Sequence, residues 1–93
     1  MAGSIWKIYL LENKTRKERY IGVTSRDIPD RLTEHEAGRT ATIAHWRWDR
    51  EQITANKVGW SYEQAKASVR AHAMEADLRT RERVWTTFAT GGI

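Results

Sequence analysis

Two tyrosines eleven residues apart, Tyr9 and Tyr20, are followed by Arg31, by His35 and, far along the chain, by Glu82. These side chains together offer what hydrolysis of a phosphodiester requires. The attacking water needs a base or a polar group that positions it, and Tyr or His can be either. The charge that grows on the phosphate and on the leaving oxygen needs neutralising, by an arginine or by a divalent cation held on a carboxylate. Arg31 and Glu82 are candidates for those tasks, and Glu75, two turns earlier, is a rival carboxylate. Each residue also has an ordinary use. Strand tyrosines pack, Arg31 has Glu34 and Asp27 as partners on its own helix, and Glu82 lies among Arg79, Arg81 and Arg83.

These side chains must be positioned by local structure. Residues 5–11 and 19–24 are apolar, aromatic and β-branched, and the segment between them is polar and charged. That pattern predicts a β-hairpin. Alternation puts Trp6, Ile8 and Leu10 on one face, and Lys7, Tyr9 and Leu11 on the other. In the second strand Tyr20 shares a face with Gly22, opposite Ile21 and Val23, so each strand buries one face and presents a tyrosine on the other. A helix follows. Ser25 or Asp27 can cap it, Pro29 suits its first turn and Gly38 can end it. Arg31 and His35, four residues apart, share one side of that helix, and Ile28 and Leu32 anchor its apolar side. The spacing of Ile43, Trp46 and Ile53 predicts a second helix over residues 40–55, with Arg47 and Arg50 beside the stripe. Residues 60–69 read either as an alternating strand or, from Ser61 and Gln64, as a capping box that starts a helix. From 69 to 88 the helical pattern runs through Met74, Leu78, Arg81 and Trp85, with Gly91 and Gly92 to end it.

The chain has 93 residues, enough for one domain spanning 1–93. Sixteen Lys and Arg against twelve Asp and Glu give a net charge of +4, which favours a polyanionic partner. Lys14, Arg16, Lys17 and Arg19 cluster at the hairpin connector, and Arg39, Arg47 and Arg50 follow the first helix. The absence of cysteine excludes a disulfide framework and a thiolate zinc site. Five tryptophans should mostly be core, with stacking on bases as the other use. No apolar run is long enough to span a bilayer and no signal-peptide pattern opens the chain, so the expected setting is soluble, intracellular and cytoplasmic.

Lys7-Ile8-Tyr9, Tyr20-Ile21-Gly22, Arg31 with His35 one turn later, and Glu82 three residues before Trp85 together resemble the GIY-YIG nuclease superfamily over almost the whole chain. The resemblance implies an α+β fold, a three-stranded antiparallel sheet flanked by helices in the order β-β-α-α-β-α. Its third strand would fall at residues 60–66. It implies a metal-dependent DNA endonuclease. Tyr9 would be the general base or the positioner of the attacking water, and Tyr20 would help hold the water or phosphate. Arg31 would bind the scissile phosphate, and His35 would contact phosphate or relay a proton. Glu82 would hold Mg²⁺ or Mn²⁺. DNA would be met by Lys14, Arg16, Lys17, Arg39 and Arg47, and by the close approach that Gly22 allows. DNA is then the partner, no membrane is involved, and sequence specificity is expected from a fused or separate DNA-binding domain. Two departures stand out. Lys7 replaces the first glycine of the family's name, and no Asn follows Glu82, where only hydroxyls such as Thr90 remain. The second departure motivates an alternative, a nucleic-acid-binding module that keeps the fold without activity.

Overall fold

The computed structural model describes residues 5–89. The hairpin forms where the alternation predicts it. β1 (Trp6–Asn13) and β2 (Glu18–Thr24) pair antiparallel, with Tyr9 opposite Gly22 and Leu11 opposite Tyr20. The turn between them needs one left-handed residue, Lys17 at φ 56°. It is closed by Asn13, whose side-chain oxygen accepts from the Arg16 amide at 3.1 Å.

The two faces of the hairpin sort as expected, but both are covered. On one face Ile8, Ile21 and Val23 pack with Ala67 and Ala71 of α2 (Gln64–Arg81), and Trp6, Leu10, Met74 and Leu78 border them. The two alanines let the helix lie close to the sheet. On the other face Tyr9, Leu11 and Tyr20 pack with Ile43 and Trp46, flanked by Ile28, Leu32, Trp48, Ile53 and Phe88. α1 (Ile28–Glu36) lies between Asp27 at its N-cap and Gly38, whose φ of 77° suits a chain leaving a helix. The tyrosines are therefore not presented to solvent. Each fully buried side chain of this size contributes about 1.5–3 kcal/mol.

The sheet differs from the three antiparallel strands expected. It has four strands in the order β3-β1-β2-β4. β3 (Ile53–Ser61) pairs antiparallel with β1 across a bulge between Ile8 and Tyr9. β4 (Thr86–Ala89) pairs parallel with β2, so the sheet is mixed. The predicted helix over 69–88 starts earlier and stops at Arg81, because the β-branched and aromatic run Val84-Trp85-Thr86-Thr87-Phe88 prefers a strand that can pair with β2. The capping-box reading located the true helix start, although the helix is capped by Glu63, whose amide donates to Ser61 Oγ. The predicted helix over 40–55 is also absent. Only a 3₁₀ turn, Ala41–Ile43, forms, followed by turns. Ile43 and Trp46 are buried as that helix required, since a three-residue spacing serves a tight turn equally well. β3 then runs through 53–61, earlier than the expected 60–66, and only Trp60 and Ser61 are shared. The glycine pair at 91–92 lies outside the described residues. No described helix is long and apolar enough to cross a membrane.

Candidate active site

Tyr9 sits at the centre of a buried polar chain. It has no exposed surface, and its ring occupies the space that Gly22 leaves open. A Cβ on Gly22 would lie 2.2 Å from Tyr9 Cζ and 2.3 Å from its hydroxyl oxygen. The glycine opposite Tyr9 in the β-ladder is therefore the reason the tyrosine can lie across the sheet. The Tyr9 hydroxyl meets His35 Nε2 at 2.7 Å, and His35 Nδ1 meets Thr40 Oγ1 at 2.7 Å. Around them Tyr20 stands edge-on to His35 at 5.3 Å between ring centres, and Trp48 stacks on the other side at 6.5 Å. α1 delivers His35 here because positions 28, 32 and 35 all face the sheet, and the apolar Ile28 and Leu32 seat the helix.

The electrostatics of this pair follow from burial. Desolvation disfavours the phenolate of Tyr9, the neighbouring Tyr20 adds to that, and Arg31 opposes it without cancelling it, so the pKa is raised. His35 is pushed down to about 4, first by burial and then by the Arg31 charge. Both groups are neutral near pH 7. A phenol is the better donor and an imidazole nitrogen the better acceptor, so Tyr9 donates to Nε2 and the Nδ1 proton goes to Thr40. Both shifts oppose transfer of the Tyr9 proton to His35, so the pair rests as a neutral phenol–imidazole hydrogen bond.

The chain continues outward through cations. Arg31 lies close enough to the Tyr9 hydroxyl for its charge to favour the phenolate, and it donates to Glu34 Oε1 at 2.9 Å. Glu34 also accepts from Arg26 at 2.5 Å, and the Arg31 hydrogen bond is the main reason its carboxyl stays below the usual range. Arg26 and Thr40 were not singled out by the sequence, whereas Glu34 pairs with Arg31 as the three-residue step along the helix suggested. Arg31 thus bridges the surface and the buried tyrosine, with a carboxylate in the position an anionic ligand would take.

The acidic candidates sit elsewhere. Glu82 caps the end of α2 and accepts from Arg19 Nη1 at 2.5 Å. Arg19 is itself buried, reaches Glu12 at 2.9 Å and lies over the Trp85 ring at 4.2 Å. Arg19 and Glu12 are register partners on the face that carries α2, opposite the tyrosine face. Glu75 is buried on the stripe of α2 that includes Ser68 and Ala71, and it pairs with the exposed Arg79. Among the described residues no cluster of three or more His, Cys, Asp or Glu could hold a metal ion. A lone carboxylate such as Glu82 could hold a hard cation only if water and phosphate oxygens completed its shell.

Of the DNA-contact candidates, Lys14, Arg16, Lys17, Arg39 and Arg47 are all exposed. The fold draws three of them together. Glu51 accepts from Asn13 Nδ2 at 2.9 Å and from the Arg47 amide at 2.7 Å, and it pairs with Arg16 at 2.6 Å. Lys14 donates its amide to the Gln52 carbonyl at 2.8 Å. Lys14, Arg16 and Arg47 consequently share one corner. Arg39 follows Gly38 at the end of α1, and Lys17 lies 5.7 Å from the Trp85 ring centre. Thr90 falls outside the described residues.

A family model described as the GIY-YIG catalytic domain matches residues 5–86. No curated protein and no solved structure matches the chain. The matched span takes in both tyrosine strands, α1, β3, α2 and the start of β4, so the chain belongs to the GIY-YIG family and is a nuclease-type domain.

Proposed function

We propose that the chain is a divalent-metal-dependent DNA endonuclease that hydrolyses phosphodiester bonds at the Tyr9–His35–Arg31 cluster. The observation that carries this reading is the 2.7 Å contact between the Tyr9 hydroxyl and His35 Nε2, with Arg31 beside it. Arg31 takes the scissile phosphate through its fork of donors when the phosphate displaces Glu34. Tyr9 positions the attacking water, and His35 holds the Tyr9 hydroxyl and contacts phosphate or relays a proton. Tyr20 fixes the orientation of the imidazole against Trp48 and helps hold the water or phosphate. Glu82, now paired with Arg19 on the α2 side of the sheet, would hold Mg²⁺ or Mn²⁺ if the DNA backbone reaches round to it, and Glu75 is the rival carboxylate. Such a cation would neutralise the charge that grows on the phosphate. Lys14, Arg16, Lys17, Arg39 and Arg47 hold the DNA backbone, and Gly22 acts by admitting the Tyr9 ring rather than by touching substrate. Sequence preference comes from a DNA-binding domain fused to the chain or acting with it.

Supercoiled plasmid nicking with Mg²⁺ tests this. Wild-type protein nicks, Arg31→Ala does not, and Glu82→Gln loses the metal response while Glu75→Gln keeps it. The reverse order for the two glutamates would move the metal to Glu75. A second reading, a nucleic-acid-binding module without activity, is favoured by one set of contacts. Arg31 is committed to Glu34, and Glu82 to Arg19. It predicts metal-independent DNA binding and no nicking under any divalent cation.

A further inference from the structure

Two large aromatic side chains stand unpacked at the end of β3. Trp60 is 44% exposed and Tyr62 68% exposed, and their rings meet edge-on at 5.0 Å. An isolated exposed ring is ordinary, but two that touch each other and remain in solvent form a platform with an unused face. One cation adjoins it. Arg70 donates from Nη1 to the Trp60 carbonyl at 2.9 Å and lines the same open depression as Gly59, Trp60, Ser61 and Tyr62. The one carboxylate nearby in sequence, Glu63, is held by Lys66 at 2.8 Å.

The platform is continuous with the candidate active site. Trp60 is the register partner of Lys7, and partners across an antiparallel ladder project to the same face, which here is the face of Tyr9 and Leu11. Lys7 Nζ donates to the Arg26 carbonyl at 3.1 Å. Arg26 in turn shares Glu34 with Arg31. From Arg31 outward the surface therefore runs through Arg26 and Lys7 to Trp60 and Tyr62, two cations and then two rings. Cations spaced along a backbone path that ends on exposed aromatic faces are what an unpaired nucleic-acid strand requires, since its phosphates need charge and its unstacked bases need a flat apolar surface.

We propose that Trp60 and Tyr62 form a stacking platform for unpaired bases next to the phosphate held at Arg31. The domain then prefers DNA with a single-stranded segment at the cut site over uninterrupted duplex. The proposal rests on Arg31 as the phosphate site, and binding without metal separates the two claims. A fluorescently labelled blunt duplex and the same duplex carrying a single-stranded overhang are titrated by anisotropy without divalent cation. Stacking of this kind is worth about tenfold or more in affinity per engaged base. Wild-type protein binds the overhang DNA tighter by about that factor. The Trp60→Ala/Tyr62→Ala double variant binds both DNAs equally, while Trp60→Phe/Tyr62→Phe keeps the preference. Arg31→Ala weakens both DNAs alike and leaves their ratio unchanged. The platform is overturned if the double alanine variant retains the preference, or if wild type has none, which includes failure to bind either DNA. Failure of the nuclease reading is seen separately, as an overhang preference with no nicking by wild type.

Discussion

A Tyr9→Phe substitution keeps the ring that fills the space over Gly22 and deletes only the hydroxyl that meets His35. Stability should fall by about 1 kcal/mol, the net worth of one hydrogen bond. Plasmid nicking should fall by about 100-fold or more, the usual weight of a proton-transfer group. A denaturant melt beside the nicking assay distinguishes the two effects, and unchanged nicking would remove Tyr9 from the chemistry. Gly22→Ala acts in the opposite way. Its Cβ would strike the Tyr9 ring at 2.2 Å, so overpacking should cost about 3 kcal/mol or more with every hydroxyl still present. His35 makes stability depend on pH. Its folded pKa, about 4, lies below its ordinary value of 6.5. The unfolded chain therefore binds the proton more readily, and stability is full above pH 6.5 and declines as pH falls from 6.5 toward 4. The loss amounts to a few kcal/mol. Denaturant midpoints measured between about pH 7 and pH 4.5 should decline in wild type and stay nearly level in His35→Gln. Glu34, whose carboxyl is held below its usual range mainly by the Arg31 hydrogen bond, adds stability that is lost toward the acid end.

At the scale of elements, β4 depends on one buried arginine. Arg19 bonds Glu82 and Glu12 and stacks on Trp85, so it ties the turn after α2 to β2 just where β4 begins. Both carboxylates are partly solvated, which limits what the ion pairs contribute; the packing of the guanidinium on Trp85 adds to it. Arg19→Ala should cost about 1–2 kcal/mol. Hydrogen exchange should quicken at Thr86–Ala89 before it does in the β1–β2 hairpin, and uniform protection across the sheet would refute this. The strand itself was within reach of the sequence, in the run of Val84, Trp85, Thr86, Thr87 and Phe88, but helical periodicity continued through Trp85 and hid it. β3 was harder to read. Its residues are half-buried at best and carry no apolar alternation, because it lies at the sheet edge with little to pack against.

Across the whole molecule the net charge of +4 is unevenly spread, and the corner assembled by Glu51 holds Lys14, Arg16 and Arg47. If those three meet phosphates, replacing them by alanine should lower DNA affinity at low salt. It should also reduce the slope of log affinity against log salt by up to about 3, roughly one for each phosphate no longer neutralised. An unchanged slope would place the DNA on another face. Glu51→Gln would keep the charges and loosen their arrangement, since Asn13, Arg16 and Arg47 all converge on that carboxylate.

The tyrosine pair, its place on one face of a hairpin, and the helix carrying Arg31 and His35 were determined by the sequence. Side-chain alternation, a proline in a first turn and a glycine past a helix end are local, and they act before any distant residue arrives. The match of the chain to the GIY-YIG family rests on the same local signals in order. What surrounds the tyrosines was decided by the tertiary structure. Burial beneath α1 and the turns holding Ile43 and Trp46 turned Tyr9 from a presented strand residue into a neutral, enclosed donor to His35. The charges chose their partners only after folding. Arg19 took Glu82 from 63 positions away, and Glu34 took both Arg26 and Arg31. Periodicity fixes which way a side chain points, but an ion pair depends on which charges the assembled chain brings within reach.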